Sequence, residues 1–199
     1  MITAFNEFLN KISRLESSRE LGAIIIQLLA SFTISESNRL EIFLDTLRMQ
    51  YDIKNKNNIA IELRHNSWNT EGVLELLHHF NIASVLTDFP EHENLGFLSN
   101  ENNLTSNNLP VVRFHGRNTT RDHYWYDYLY SEKEFTPWIK KFNRINENTD
   151  TNSIYINSHY GGKAIVNSLQ FKELINNQPL PEIEKRIMEK AKKYLTNTL

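Results

Sequence analysis

Apolar residues recur along this chain with two alternating periods. Phe5, Phe8, Leu9, Ile12 and Leu15 fall three or four apart, the spacing of one helix face. The run 23–28 (AIIIQL) then reads as a buried strand. Helical spacing returns at Leu40, Phe43, Leu44 and Leu47, and 59–64 (IAIELR) predicts a second strand. Val73, Leu74, Leu76, Leu77 and Phe80 predict a short helix, and 83–88 (ASVLTD) a third strand that Pro90 ends. A fourth strand is predicted over 111–116 (VVRFHG). Ser131 and Glu134 have capping-box spacing and open a helix striped by Phe135, Trp138, Ile139, Phe142 and Ile145. A fifth strand over 153–158 (SIYINS) and a helix over about 164–175 follow. Pro179 and Pro181 break the chain before a last helix over about 182–196.

Strands alternating with helices predict an α/β fold with a parallel sheet and right-handed crossovers. An open doubly wound sheet and a (β/α) barrel share that alternation. No G-x-G-x-x-G follows the first strand, so a dinucleotide-binding open sheet loses its main support. Side-chain parity points to the barrel. Val112 and Phe114 oppose Arg113, His115 and Arg117, and Ile154 and Ile156 oppose Tyr155, Asn157 and His159. Ile59, Ile61 and Leu63 oppose Ala60, Glu62 and Arg64. A strand buried on both faces of an open sheet is apolar on both. One apolar face, with a second face turning polar at its C-terminal end, fits barrel strands whose inner side opens onto a site. Gln27, Glu62, Arg64, Asp88, Arg113, His115, Arg117, Asn157 and His159 are therefore expected to converge on one mouth.

The same residues carry a family resemblance. The stretches LGAIIIQL-x-x-SF, IELRHNSW, VLTDFP, VVRFHGRN, YDYLYSEKE and IYINSHYGGKAIVNSL follow one another over residues 20–176. In them the chain resembles the YecE-like family, the domain of unknown function 72, which implies a TIM-barrel-like fold. It departs from the family at Leu29, where a proline is usual, and at Ile156 and Ser158, one of which usually has an aromatic counterpart. The family's first three strands have no counterpart ahead of Gln27, and five strands cannot close an eight-stranded barrel. The expected fold is one domain over 1–199: a partial (β/α) barrel of about five parallel strands with outer helices, lacking the first three.

Composition narrows the chemistry. The 199 residues hold 22 Lys and Arg against 24 Asp and Glu, for a formal charge of -2. A polyanion binder working through bulk charge is thereby excluded, so nucleic acid is not indicated. Without cysteine there is no disulfide, thiolate metal site or thiol nucleophile. The longest weakly polar run, 21–32, is shorter than the about 20 apolar residues of a membrane span, and no secretory signal opens the chain. A cytoplasmic protein is expected.

Arg64, Arg113 and Arg117 on inward positions would hold a phosphate or carboxylate through bidentate hydrogen bonds, unless Glu62 and Asp88 neutralise two of them. His115 and His159 are candidate acid and base, with Asp88 or Glu62 orienting a histidine or holding an optional metal. No tight ligand spacing supports a metal, and no cofactor is assigned. Gln27, Asn157 and Asn167 are candidate polar contacts to substrate. Trp68, Trp125, Tyr126, Tyr128 and Tyr130 suit either an aromatic wall or loop packing. Gly161-Gly162 suits either an anion-binding helix start or a tight turn. His78, His79, His92 and His123 read as surface residues. The expected function is an enzyme acting on an anionic substrate with His/Arg acid–base chemistry; the alternative is a non-catalytic binding or assembly subunit of a split barrel. Expected partners are a complementary N-terminal polypeptide or a second copy, and a small anionic ligand.

Overall fold

The computed structural model of the chain describes residues 2–18, 21–50, 58–89, 103–106, 109–119, 125–146 and 153–196. The elements run α1 (Ile2–Ser17), β1 (Ile24–Gln27), α2 (Ser37–Gln50), β2 (Ile59–Glu62), α3 (Glu71–His79) and β3 (Ala83–Asp88). They continue with β4 (Val111–Phe114), α4 (Glu132–Asn146), β5 (Ser153–Ile156), α5 (Lys163–Asn176) and α6 (Glu182–Thr196). Every predicted strand and helix is present. The strands are shorter than expected, so Arg64, His115, Asn157 and Ser158 fall just past their C-terminal ends. His92 and His123 lie outside the described residues.

The sheet order is β1-β2-β3-β4-β5. Ile24 pairs with Ile59 and Gln27 with Glu62 in parallel register, and Ala60 pairs with Ala83. The Ser153 N–H donates to the Pro110 carbonyl at one end of β5, and the Asn157 N–H to the Phe114 carbonyl at the other, so β5 also runs parallel to β4. Sequential order is the connectivity of a (β/α) barrel; a doubly wound sheet reverses direction at its switch point. The fold is a partial barrel of five parallel strands. No helix among the described residues is long and apolar enough to cross a membrane.

The chain divides into two compact units. The first comprises Met1–Leu86, His92–Val111 and Thr149–Ser153. In it Leu40, Leu44 and Leu47 of α2 and Leu77 of α3 are buried, as are all residues of β2. Phe5 of α1 meets Phe43 of α2 edge to face at 6.3 Å. The motif R-H-N-S-W makes a local anchor here. The His65 side chain accepts the Ser67 N–H, the Ser67 hydroxyl accepts the Ile34 N–H, and the Trp68 indole donates to the Phe32 carbonyl at 2.5 Å.

The second unit comprises Thr87–Glu91, Val112–Asn148 and Ile154–Leu199. Its core centres on Phe114, whose ring meets Tyr130, Phe135, Trp138 and Phe171 at 5.1–5.6 Å. Phe114 therefore lies on the helix side of β4, as its parity predicts. Ser131 opens α4 as its spacing predicts: its N–H and hydroxyl both donate to the Glu134 carboxylate. Phe114→Ala should cost about 3–5 kcal/mol of stability, because four rigid rings cannot close over the vacated volume. Urea unfolding followed by tryptophan fluorescence measures it.

Candidate functional site

Two polar centres stand out in the second unit. The first is built on Asp88, the last residue of β3, whose carboxylate is 5% exposed. Oδ1 accepts from Arg117 Nε at 2.7 Å and the Tyr130 hydroxyl at 2.9 Å. Oδ2 accepts from an Arg117 terminal nitrogen at 2.5 Å and the Trp138 indole at 2.6 Å. Four donors replace the water that burial removed from the carboxylate. Its hydrogen bonds and charge raise the Arg117 pKa, while burial opposes them. Burial, with the adjacent Asp88 charge, pushes up the Tyr130 hydroxyl.

Arg117 also reaches Glu134 at 3.5 Å, and the Tyr128 hydroxyl donates to Glu134 at 2.5 Å. Burial and that bond push the Tyr128 pKa up to about 12. Burial acts to raise the Glu134 pKa, but hydrogen bonds from Tyr128 and Ser131 outweigh it and leave it lowered.

The second centre is built on Asn157, just beyond β5. Its backbone carbonyl accepts from His159 Nδ1 at 3.0 Å, and its side-chain nitrogen meets His115 Nδ1 at 3.1 Å. One asparagine thus bridges both histidines. A carbonyl oxygen has no proton to give, so His159 donates through Nδ1. The amide nitrogen donates, so His115 accepts on Nδ1 and carries its proton on Nε2. The Tyr126 ring lies 5.9 Å from the His115 ring and 5.7 Å from the His159 ring. Phe89 meets His115 at 6.3 Å and Trp125 at 4.3 Å, and Tyr160 stacks on His159 at 4.7 Å. His115 is 1% exposed beneath this aromatic cover, whereas His159 is exposed. Ser158, between Asn157 and His159, is fully buried, and its hydroxyl has no hydrogen-bond partner among the described residues.

The backbone makes the cover possible. Gly116 has φ +90, and a Cβ there would overlap the Trp125 carbonyl oxygen. Its N–H donates to the Tyr130 hydroxyl at 2.8 Å. Lys163 at the start of α5 forms an ion pair with Asp127, holding the segment after Tyr126.

The expected residues therefore separate by role. His115, Asn157 and His159 come together. The Asp88 side chain gives its four acceptor positions to Arg117, Tyr130 and Trp138, and its backbone carbonyl accepts the His115 N–H at 3.0 Å. Arg117 is accordingly held by Asp88 and Glu134 rather than presented as an anion clamp, and Tyr128 is engaged by Glu134. Asn167 is fully buried and clamps a loop, accepting the Tyr130 N–H and donating to the Tyr130 carbonyl, both at 2.9 Å. Trp68 is buried in the first unit, stacked on Phe32 at 5.5 Å. Also in the first unit, Gln27 donates to the buried Glu62 carboxylate at 2.8 Å, and Arg64 is half-buried two residues past β2. Arg113 is half-buried on β4. Glu134 and Trp138 were not among the expected site residues. The capping-box spacing of one, and the need of a buried indole for an acceptor, were the available signals. Among the described residues no group of three or more His, Asp or Glu is placed to hold a metal.

A sequentially ordered parallel sheet with polar groups gathered at its strand ends defines a barrel-type protein. The chain belongs to the DUF72 family: the family model, described as protein of unknown function DUF72, matches residues 2–190. The crystal structure of a DUF72 family protein from Thermotoga maritima is similar, with a TM-score of 0.73 and 29% identity over 86% of this chain. That of a DUF72 family protein from Enterococcus faecalis has a TM-score of 0.69 and 25% identity over 85% of this chain. This chain spans 64% of the length of each. No curated protein matches it significantly.

Arg117→Ala should destabilise the chain by about 3 kcal/mol, because it leaves a buried carboxylate short of two donors. Asp88→Asn should recover part of that loss in the double variant, as measured by a denaturation double-mutant cycle. Glu134 has a lowered folded-state pKa, so its contribution is complete above the ordinary carboxyl value of 4.5 and is lost as pH falls through the lowered one. Urea midpoints should therefore drop on acidification in the native chain and less steeply in Glu134→Gln.

Proposed function

We propose that the chain carries the acid–base centre of a DUF72 enzyme acting on a substrate with an anionic group, a phosphate or carboxylate. The observation that carries this reading is the Asn157 bridge. It sets two imidazoles in complementary tautomers, one offering a lone pair and the other a proton. His159 is the base, because its Nε2 lies at an exposed position while Nδ1–H is held by a carbonyl. His115 is the donor, kept in its tautomer by the Asn157 amide and shielded by Tyr126 and Phe89. Imidazole suits this work because its ordinary pKa, about 6.5, allows both protonation states near neutrality.

Two features support an anionic substrate. Arg113 lies two residues before His115 and has the same strand parity. The segment after His159 turns through Gly161 and Gly162, both at positive φ, into the first turn of α5. The dipole of a helix start favours negative charge. Arg117 has no part in this reading, since its charge is already met by Asp88. A binding or assembly role in a split barrel rests on a different observation, the half-buried outer strands, and does not compete with proton chemistry.

Imidazole nitrogen shifts of the 15N-labelled chain test the reading without a known substrate. His159 should show the Nδ1–H tautomer and His115 the Nε2–H tautomer. Inorganic phosphate should shift both rings, and Arg113→Ala should weaken its apparent affinity about tenfold, the loss of one charge-assisted contact. Identical tautomers, or two rings indifferent to phosphate, would refute it. Asn157→Ala should release the tautomer of His115, whose partner is the side-chain amide, and leave that of His159, whose partner is the backbone carbonyl, in place; an unchanged His115 ring would count against the bridge.

A further inference from the structure

Within the second unit, α6 packs on α5. Glu184, Met188, Ala191 and Leu195 form its half-buried face at helical spacing, and Glu184 accepts from Lys172 of α5 at 2.7 Å. The neighbouring stripe of α6, Ile183, Ile187, Lys190 and Tyr194, has the same spacing and is exposed, Ile183 at 70%. A single exposed apolar side chain is ordinary, but three on one stripe mark a surface that binds something.

Between that stripe and the Gly161–Gly162 turn lies a cavity of about 480 Å³. Ile165, Ile187, Ala191 and Tyr194 line it, with Lys190 and the turn itself. Both glycines have positive φ, and a Cβ on Gly162 would touch nothing, so the turn opens onto the space instead of filling it. Lys190 is the one charged residue in this lining, and its ammonium has no hydrogen-bond or ionic partner among the described residues. The acids of the first turn are already engaged, Glu182 by Arg186 and Glu184 by Lys172. Glu189 adjoins Lys190 in sequence, and adjacent residues of a helix do not face each other. The stem of Lys190 thus belongs to an apolar wall, while its charge stands unmet.

We propose that this cavity binds one molecule of an anionic amphiphile, an aliphatic chain ending in a carboxylate. The chain lies against Ile165, Ile187 and Ala191, and the head group meets the Lys190 ammonium. Size and charge select this occupant. The volume falls within the about 300–1,000 Å³ of small-molecule sites, which are apolar with a few placed polar groups. A protein partner covers about 20–30 residues a side, and this apolar surface is confined to a few side chains. A second copy would lay the same lysines against each other across a two-fold axis, and like charges so juxtaposed cost affinity. A bilayer surface takes up the whole apolar face of a helix, and α6 gives part of that face to α5. The site uses neither His115 nor His159.

The test is titration of the 15N-labelled chain with decanoate below its micellar concentration. Amide shifts should saturate at one molecule per chain and map to residues 161–165 and 187–194. The melting temperature should rise with decanoate, as linkage requires. Decanol, equal in chain but uncharged, should bind about tenfold more weakly, the loss of one charge-assisted contact. Decyltrimethylammonium should bind no better than decanol. Lys190→Gln should bring decanoate down to the level of decanol, and Ile187→Ser should weaken both about tenfold by removing apolar wall. Both positions are exposed, so the melting temperature of the chain alone should not change. Shifts that fail to saturate, equal affinity for the anionic and cationic amphiphiles, or decanoate binding untouched by Lys190→Gln would overturn the proposal. So would binding to phosphatidylglycerol vesicles by a chain indifferent to decanoate, which would make this face a membrane surface.

Discussion

A charged carboxylate at 5% exposure is tolerable only if protein donors replace its water, and Asp88 imposes that condition on the second unit. Its partners come from three places in the chain: Arg117 just past β4, Tyr130 in the following loop and Trp138 on α4. Each is drawn in for a reason of its own. The half-buried guanidinium needs acceptors for its N–H groups, the buried hydroxyl must donate, and the indole N–H has no other use in a core. Tyr130 then passes the constraint on. Its hydroxyl accepts the Gly116 N–H, and its backbone is held from both sides by Asn167 of α5. One buried charge thereby orders a strand end, a loop and two helices.

That anchoring clarifies the division of labour around it. Beside the Asp88 network, whose carboxylate oxygens each accept two hydrogen bonds, the Asn157 centre holds one histidine that is exposed. Stability and reactivity therefore occupy neighbouring residues of one motif: His115 and Arg117, separated by a single glycine, face different tasks. The first unit shows the structural use even more plainly. Arg64 to Trp68 has the residue types of a binding motif, yet His65 and Ser67 cap a turn and Trp68 fills a core.

The elements were legible because periodicity is a local property. Alternation of two for strands and of three or four for helices needs no knowledge of partners, and parity placed Phe114 on the helix side of β4. Roles were legible only where they too were local, as in the Ser131–Glu134 cap. The pairing of Asp88 was hidden because its partners lie 29, 42 and 50 residues away. Three arginines and two acids at strand ends could not say which acid Arg117 would meet. The Asn157 bridge was likewise out of reach, since it depends on how far β5 extends before the chain turns.

The contact at Gly116 has a mechanical consequence. The Trp125 carbonyl rests against a residue with no side chain, at a separation that admits no additional carbon. The backbone leading to Tyr126 thus sits on a hard stop: it can lift away from the strand end, but it cannot sink further. The depth of the Tyr126 ring over the two imidazoles is limited from below by bare backbone, and any adjustment to an incoming molecule runs in one direction only, outward.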